Sequence, residues 1–290
     1  MLKSWISALR LKTLPLALGA IILGSRLPKL SFDVEIFAWA CLSAVLLQIL
    51  SNLANDYGDF KKGTDSHRAD RQLAGGKISA KSMLIAIVIT ATLSLISGLI
   101  LLYTAFGTEW KYWIVFLILG LGSIAAAITY TIGNRAYGYY GLGDLFVFIF
   151  FGMVGVVGTA YLYQQTLIAE YFLPAISYGA LSVGVLNINN IRDLDKDVLN
   201  NKITLAAQMG REGALNYQAF LMITAFLSMG AHHLISGYLS LAPVGIAALG
   251  YLHLIQLRKA QSAEEYNALL KFLSLGSLGV VLLFTLRLYF

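Results

Sequence analysis

Apolar residues run through this chain in blocks long enough to cross a bilayer, and short polar segments separate them. Nine runs stand out, at roughly 12–30, 36–58, 83–104, 112–132, 143–164, 171–192, 214–236, 238–256 and 268–289. Each approaches the ~20 residues that a spanning helix requires. Arg26 and Lys29 crowd the end of the first run. The seventh and eighth are almost contiguous, which predicts a tight helical hairpin. No strand is needed anywhere, and no linker or low-complexity segment divides the chain. The expected fold is an all-α membrane protein, a bundle of nine transmembrane helices forming one domain over residues 1–290.

Composition agrees. Of the 290 residues 58% are hydrophobic and only 12% charged, against about 25% charged in soluble domains. The start of the chain shows no separate basic, apolar and cleavage regions, so no removable signal peptide is expected. The single cysteine, Cys41, sits in an apolar run and reads as helix filler. The net charge of +6 does not point to nucleic acid, because the Lys and Arg lie in short loops between apolar runs. There they set topology. With the N-terminus cytoplasmic, all 21 basic residues except Arg26, Lys29, Lys111 and Arg287 fall on the inside. The chain is therefore expected to run N-in, C-out through a cytoplasmic membrane, with no nucleic-acid partner.

Two stretches break the apolar pattern in the same way. Leu47–Ser79 begins as apolar helix and ends as a charged loop. In helical geometry Gln48, Asn52, Asn55, Asp56 and Asp59 fall within about a 100° arc. Gly184–Ala206 repeats the theme, with Asn189, Asp193 and Asp197 within about an 80° arc. Both stretches end an apolar run and enter a basic loop. An even number of crossings separates them, so both acidic ends belong to one membrane face, the cytoplasmic one.

Amide and carboxylate oxygens in a hydrocarbon setting are costly unless they face protein, water or a cation. They are hard ligands suited to Mg2+. Protein Mg2+ sites supply few carboxylates and leave the rest of the shell to water and substrate phosphate. Two such stripes on one face suit a diphosphate clamp. Lys61, Lys62, Arg68 and Arg71 follow the first stripe, and Lys202 and Arg211 follow the second. Cations beside metal-binding acids make sense if a polyanion binds between them. A bare cation pathway, as in a cation-coupled secondary transporter, gains nothing from them.

These residues carry a resemblance. NLANDYGDFKKGTD (Asn52–Asp65) with RQLAGGKIS (Arg71–Ser79), and NNIRDLDKDVLNNKITLA (Asn189–Ala206), resemble the two aspartate-rich motifs of the UbiA superfamily of intramembrane aromatic prenyltransferases. Within it they most resemble the branch acting on 1,4-dihydroxy-2-naphthoate in menaquinone synthesis, as does WISALRLKTLP (Trp5–Pro15). The resemblance implies a nine-helix fold in which Asn52, Asp56, Asp59, Asp193 and Asp197, joined by Asn189, hold Mg2+ on the diphosphate of a polyprenyl donor. It implies that Tyr130 and Arg135, with Lys61, Arg68 and Lys202, touch that substrate. The implied reaction ionises the donor to an allylic cation, which an aromatic acceptor attacks; with the naphthoate, CO2 is lost and demethylmenaquinone forms. Acceptors such as 4-hydroxybenzoate or homogentisate would use the same chemistry. The family's first motif often spaces Asn, Asp, Asp at four-residue steps, whereas here Phe60 takes the third place and Asp59 and Asp65 flank it.

Outside the motifs, Tyr137, Tyr139 and Tyr140 read as an aromatic belt, and His232, His233 and His253 as interfacial. Asp144, just inside the fifth run, suits either a helix-start charge or a group that orients an acceptor hydroxyl or acts as a base.

Overall fold

The computed structural model describes residues 2–28, 32–64 and 71–286. They form ten helices and no strand. These are α1 (Leu2–Leu9), α2 (Leu14–Arg26), α3 (Val34–Lys62), α4 (Ala80–Phe106), α5 (Trp110–Thr129), α6 (Gly143–Gln164), α7 (Phe172–Leu199), α8 (Leu205–Ser236), α9 (Ala242–Lys259) and α10 (Ala263–Thr285). Among the described residues eight helical segments are long and apolar enough to cross a membrane, counting α1 and α2 as one. The eighteen-residue α9 matches the remaining run expected from the sequence. The protein is a multi-pass membrane protein, and the apolar side chains it exposes suit lipid. On α4, for example, Ile85, Val88, Ile89 and Ile96 all face outward.

The first run departs from its expected limits. Leu2, Trp5, Ile6 and Leu9 make a short amphipathic helix ahead of α2. The break between them is Arg10, a non-glycine residue held at φ +49°. Such a conformation is uncommon outside Gly, Asn and Asp. Here the Arg10 side chain is occupied by two partners on α3, described below.

The chain divides into two compact units. The first comprises Met1–Leu14, Val34–Gly143 and Lys196–Thr204. Its core gathers Leu50 and Leu53 of α3, Met83 and Ile87 of α4, and Leu73 and Ile78 of the intervening loop. Within the bilayer span Ser43 and Ser97 hydrogen-bond across α3 and α4 at 3.0 Å. Such bonds and small side chains hold helices together where lipid offers no hydrophobic contrast. Ser79 caps α4, accepting from the Ser82 backbone N–H at 3.1 Å. Gly63, at φ +75°, ends α3 just after the first acidic stripe. One approach is very close: a Cβ on Gly58 would lie 2.5 Å from Thr131 Oγ1, and the Thr131 hydroxyl donates to the Ala54 carbonyl at 2.9 Å.

The second unit comprises Pro15–Asp33, Asp144–Asp195 and Leu205–Phe290. Its core is larger and includes Leu23, Tyr178, Leu181, Ile188, Met229, Leu257 and Leu273. Small residues set its spacings. Gly19 of α2 lies under the Tyr178 ring, whose hydroxyl donates to the Leu16 carbonyl at 2.8 Å. Gly152 of α6 lies against the Ala175 carbonyl of α7, and Gly179 against the Phe148 ring. Residues Phe148–Gly158 of α6 are wound as a π-helix, a rare geometry that recurs at functional sites.

Candidate functional site

In the first unit, α3 puts its polar stripe against α1 and the loop residue Arg71. The Asn52 amide donates to the Leu9 carbonyl at 3.0 Å and to Thr13 Oγ1 at 3.1 Å. Gln48 donates to the same Thr13 hydroxyl at 3.1 Å and to Asn52 Oδ1 at 3.3 Å. One turn on, Arg10 donates to Asn55 Oδ1 at 2.9 Å and pairs with Asp56. Arg71 pairs with the same Asp56 oxygen. The carboxylate is 3% exposed, so its charge is met by two guanidiniums instead of water, as burial demands.

Asp59, also buried, has a different partner. Tyr139 donates to its Oδ1 at 2.8 Å. Burial, reinforced by the Asp59 charge, pushes the Tyr139 phenol up from its ordinary value, so the ring stays a proton donor. The face of that ring is cationic: Lys62 Nζ stands 3.7 Å from its centroid and Lys202 Nζ 5.5 Å. Lys202 also pairs with Asp197 at 3.5 Å, and the Ile203 N–H donates to the Tyr139 carbonyl at 3.0 Å. Asp59 of the first motif and Asp197 of the second thus belong to one cluster around Tyr139.

In the second unit, Arg192 of α7 gathers the other second-motif residues. Its Nη2 donates to Asn189 Oδ1 at 2.7 Å, and Nε and Nη2 together hold the Asp193 carboxylate at 3.0 and 2.6 Å. Its remaining nitrogen donates to Asn267 Oδ1 on α10 at 2.6 Å. Guanidinium and carboxylate planes match in this forked geometry.

The other expected site residues are less engaged. Lys61 is exposed, its ammonium 5.8 Å from the Tyr57 ring. Tyr130 packs edge-on to Tyr137, centroids 5.3 Å apart. Arg135 is exposed on the loop after α5. Arg68 and Asp65 lie outside the described residues. Three residues not expected at the site contact the acids directly, Arg10, Tyr139 and Arg192, as does Arg71, expected among the cations after the first stripe. The only advance signal for Tyr139 was a tyrosine cluster in a glycine-rich loop (Tyr137–Gly143) on the acidic side of the chain.

Among the described residues no three His, Cys, Asp or Glu side chains form a ready-made metal cage. The donor set nevertheless fits Mg2+. Single buried carboxylates, spaced along helix faces and flanked by cations, are what an ion needs when waters and phosphate oxygens fill most of its shell. Arginine and lysine already neutralise those acids, and the same cations match phosphate oxygens.

Comparison with known proteins agrees with this chemistry. The profile described as "UbiA prenyltransferase family" matches residues 13–285. The chain is 46% identical to the 1,4-dihydroxy-2-naphthoate octaprenyltransferase of Escherichia coli (strain K12), over 81% of this chain and 77% of that protein. It is 38% identical to the protein of the same name from Haemophilus influenzae, over 99% of this chain and 96% of the relative. Among solved structures, an apo UbiA homolog from Aeropyrum pernix K1 superposes with TM-score 0.73 at 19% identity, covering 94% of this chain and 98% of that one. A UbiA homolog from Archaeoglobus fulgidus bound to DMAPP and Mg2+ gives TM-score 0.61 at 13% identity, covering 96% and 99%.

Proposed function

The chain belongs to the UbiA prenyltransferase family, and on that premise we propose that it transfers a polyprenyl group from polyprenyl diphosphate to 1,4-dihydroxy-2-naphthoate, with loss of CO2, to give demethylmenaquinone in its reduced, quinol form. The observation that carries the reading is the cluster around Tyr139. There an acid from each motif, Asp59 and Asp197, is gathered with Lys62 and Lys202. Acids and cations interleaved in this way suit a metal-bound polyanion, and family membership leaves the transporter alternative without support. The names of the relatives at 46% and 38% identity support the naphthoate as acceptor.

In this reading Asn52, Asp56, Asp59, Asn189, Asp193 and Asp197 hold Mg2+, which supplies positive charge to the leaving diphosphate. With Mg2+ held by those acids, Arg10, Arg71 and Arg192, which pair with them here, would be placed to meet phosphate oxygens. Lys62 and Lys202 add charge at the Tyr139 end, and Tyr139 orients Asp59. Arg68, Tyr130, Arg135 and Lys61 complete the substrate contacts. The C–O bond of the donor breaks, the electron pair leaves with diphosphate, and the ring carbon bearing the carboxylate attacks the allylic cation. Apolar helix walls keep water away from that cation, and the isoprenoid tail lies among the helices. In this reading the site faces the cytoplasm from the cytoplasmic membrane, which the basic loops support.

The test is turnover by the detergent-purified full chain with labelled polyprenyl diphosphate, against 1,4-dihydroxy-2-naphthoate, 4-hydroxybenzoate and homogentisate. The expected result is a prenylated, decarboxylated product from the naphthoate alone, abolished by EDTA and restored by Mg2+. Preference for another ring overturns the acceptor assignment, and EDTA-resistant turnover overturns the metal.

A further inference from the structure

Asp144 is a carboxylate that the reaction as described above does not use. It opens α6 and is buried. Tyr217 of α8 stands beside its carboxyl, and Tyr217 itself stacks on Phe220 at 6.4 Å. The other carboxyl oxygen, Oδ1, is buried and has no hydrogen-bond partner among the described residues. An interhelical tie would use that oxygen, and a helix-start charge would leave it in water. An ionisable side chain at membrane depth is costly, and residues of this kind mark substrate or proton paths.

Its place in the second unit is set by the contacts of α6 with α7. Gly152 lies against Ala175, and Phe148 against Gly179, so the two helices run antiparallel. One turn earlier on α6, Asp144 stands opposite the region of Val183. The face of α7 that meets α6 starts at Ala175 and Gly179. It continues in alternating three- and four-residue steps through Ser182 and Leu186 to Asn189 and Asp193. The second-motif residues therefore lie on the same face of α7 that α6 covers, and Asn189 is about 9 Å further along the helix axis than the Asp144 level. In the prenyltransfer reading, a donor held at Asn189 and Asp193 would sit on the helix face that Asp144 adjoins.

We infer that Asp144, buried with its Oδ1 unpartnered among the described residues, takes the hydroxyl proton of the aromatic acceptor. The inference rests on the prenyltransfer reading above and adds the base to it. As the ring carbon bonds to the allylic carbon and the C–O pair leaves with diphosphate, the ring hydroxyl becomes a carbonyl and its proton passes to Asp144 Oδ1. When the ring carboxylate departs as CO2, its bonding pair restores the aromatic enolate, and Asp144 returns the proton to that oxygen. The base is regenerated in each turnover, and no other reactant is consumed.

The test compares wild type, Asp144→Asn and Tyr217→Phe as full chains in detergent. Asp144→Asn keeps the shape but lacks the basicity. With 1,4-dihydroxy-2-naphthoate its kcat is expected to fall about 100-fold, and that of Tyr217→Phe several-fold. Mg2+-dependent thermal protection by a prenyl thiodiphosphate should match wild type in both. Ring-fluorinated acceptors, whose hydroxyls ionise more readily, should show a smaller Asp144→Asn penalty. The inference is overturned if Asp144→Asn turns over at the wild-type rate, if it loses thiodiphosphate protection together with kcat, or if the penalty is equal for every acceptor. Failure of the wild type to prenylate any ring overturns the underlying reading instead, and is seen without the variants.

Discussion

Replacing Asp56 with Asn separates the charge of the first motif from its shape. The carboxylate is 3% exposed and carries both Arg10 and Arg71, whose side chains are 22% and 12% exposed. Removing one partner from a buried ion pair costs about 3–5 kcal/mol. The arginines keep some contact with water, and Asn retains one acceptor oxygen. The discounted expectation is about 2 kcal/mol, or a fall of about 5 °C in the unfolding midpoint. Anion binding should change in the opposite sense. With the Asp56 charge removed, the two guanidiniums attract phosphate more strongly, so inorganic pyrophosphate in EDTA should stabilise Asp56→Asn more than wild type. The additional stabilisation that Mg2+ confers on wild type should vanish, and with it turnover. Thermal unfolding of the detergent-solubilised chain, followed by fluorescence of its four tryptophans, reads all of these. An unchanged midpoint, together with equal pyrophosphate shifts in EDTA, would refute the argument.

Tyr139→Phe keeps the ring under Lys62 and removes only the hydroxyl that donates to Asp59 at 2.8 Å. A hydrogen bond to a charged group contributes about 1.5–3 kcal/mol, so stability should drop at the low end of that range, and a metal titration of activity should show a higher Mg2+ requirement. Gly58→Val forces a side chain into Thr131, where even a Cβ has only 2.5 Å. Overpacking of this kind costs about 1–3 kcal/mol, whereas Gly98→Val, with nothing within 4 Å of its Cβ, should melt like wild type. Lys202→Ala breaks the 3.5 Å pair with Asp197, and steady-state kinetics should show KM for the donor raised about tenfold with kcat less affected.

The spans were legible because the bilayer imposes length and apolarity on every one of them, and α3 through α10 appear close to their expected places. The acidic stripes were legible for a related reason, since polar residues at helical spacing stand out against an apolar background. Partners supplied from elsewhere in the chain were not. Arg10 reaches Asp56 across forty-six residues, and Tyr139 reaches Asp59 across eighty. Tyr139 looked like part of an interfacial belt because a tyrosine at a helix end serves either role. The histidines expected at the interface are buried, each with a polar partner from a neighbouring segment: His253 meets Gln218 at 3.2 Å, His233 meets Ser240 at 2.8 Å, and His232 meets the Glu170 carbonyl at 3.3 Å. Helix α1 was missed because eight residues fall short of the length that marks a span, although its apolar spacing was present in the sequence.

Manganese in place of magnesium makes the ion visible, and electron–nuclear spectroscopy on the Mn2+-loaded protein with a bound prenyl thiodiphosphate reads whether that ion touches phosphorus. The account predicts a phosphorus coupling in wild type that is lost in Asp56→Asn and, separately, in Asp193→Asn. A coupling that survives both substitutions, or its absence from the wild type, would contradict it.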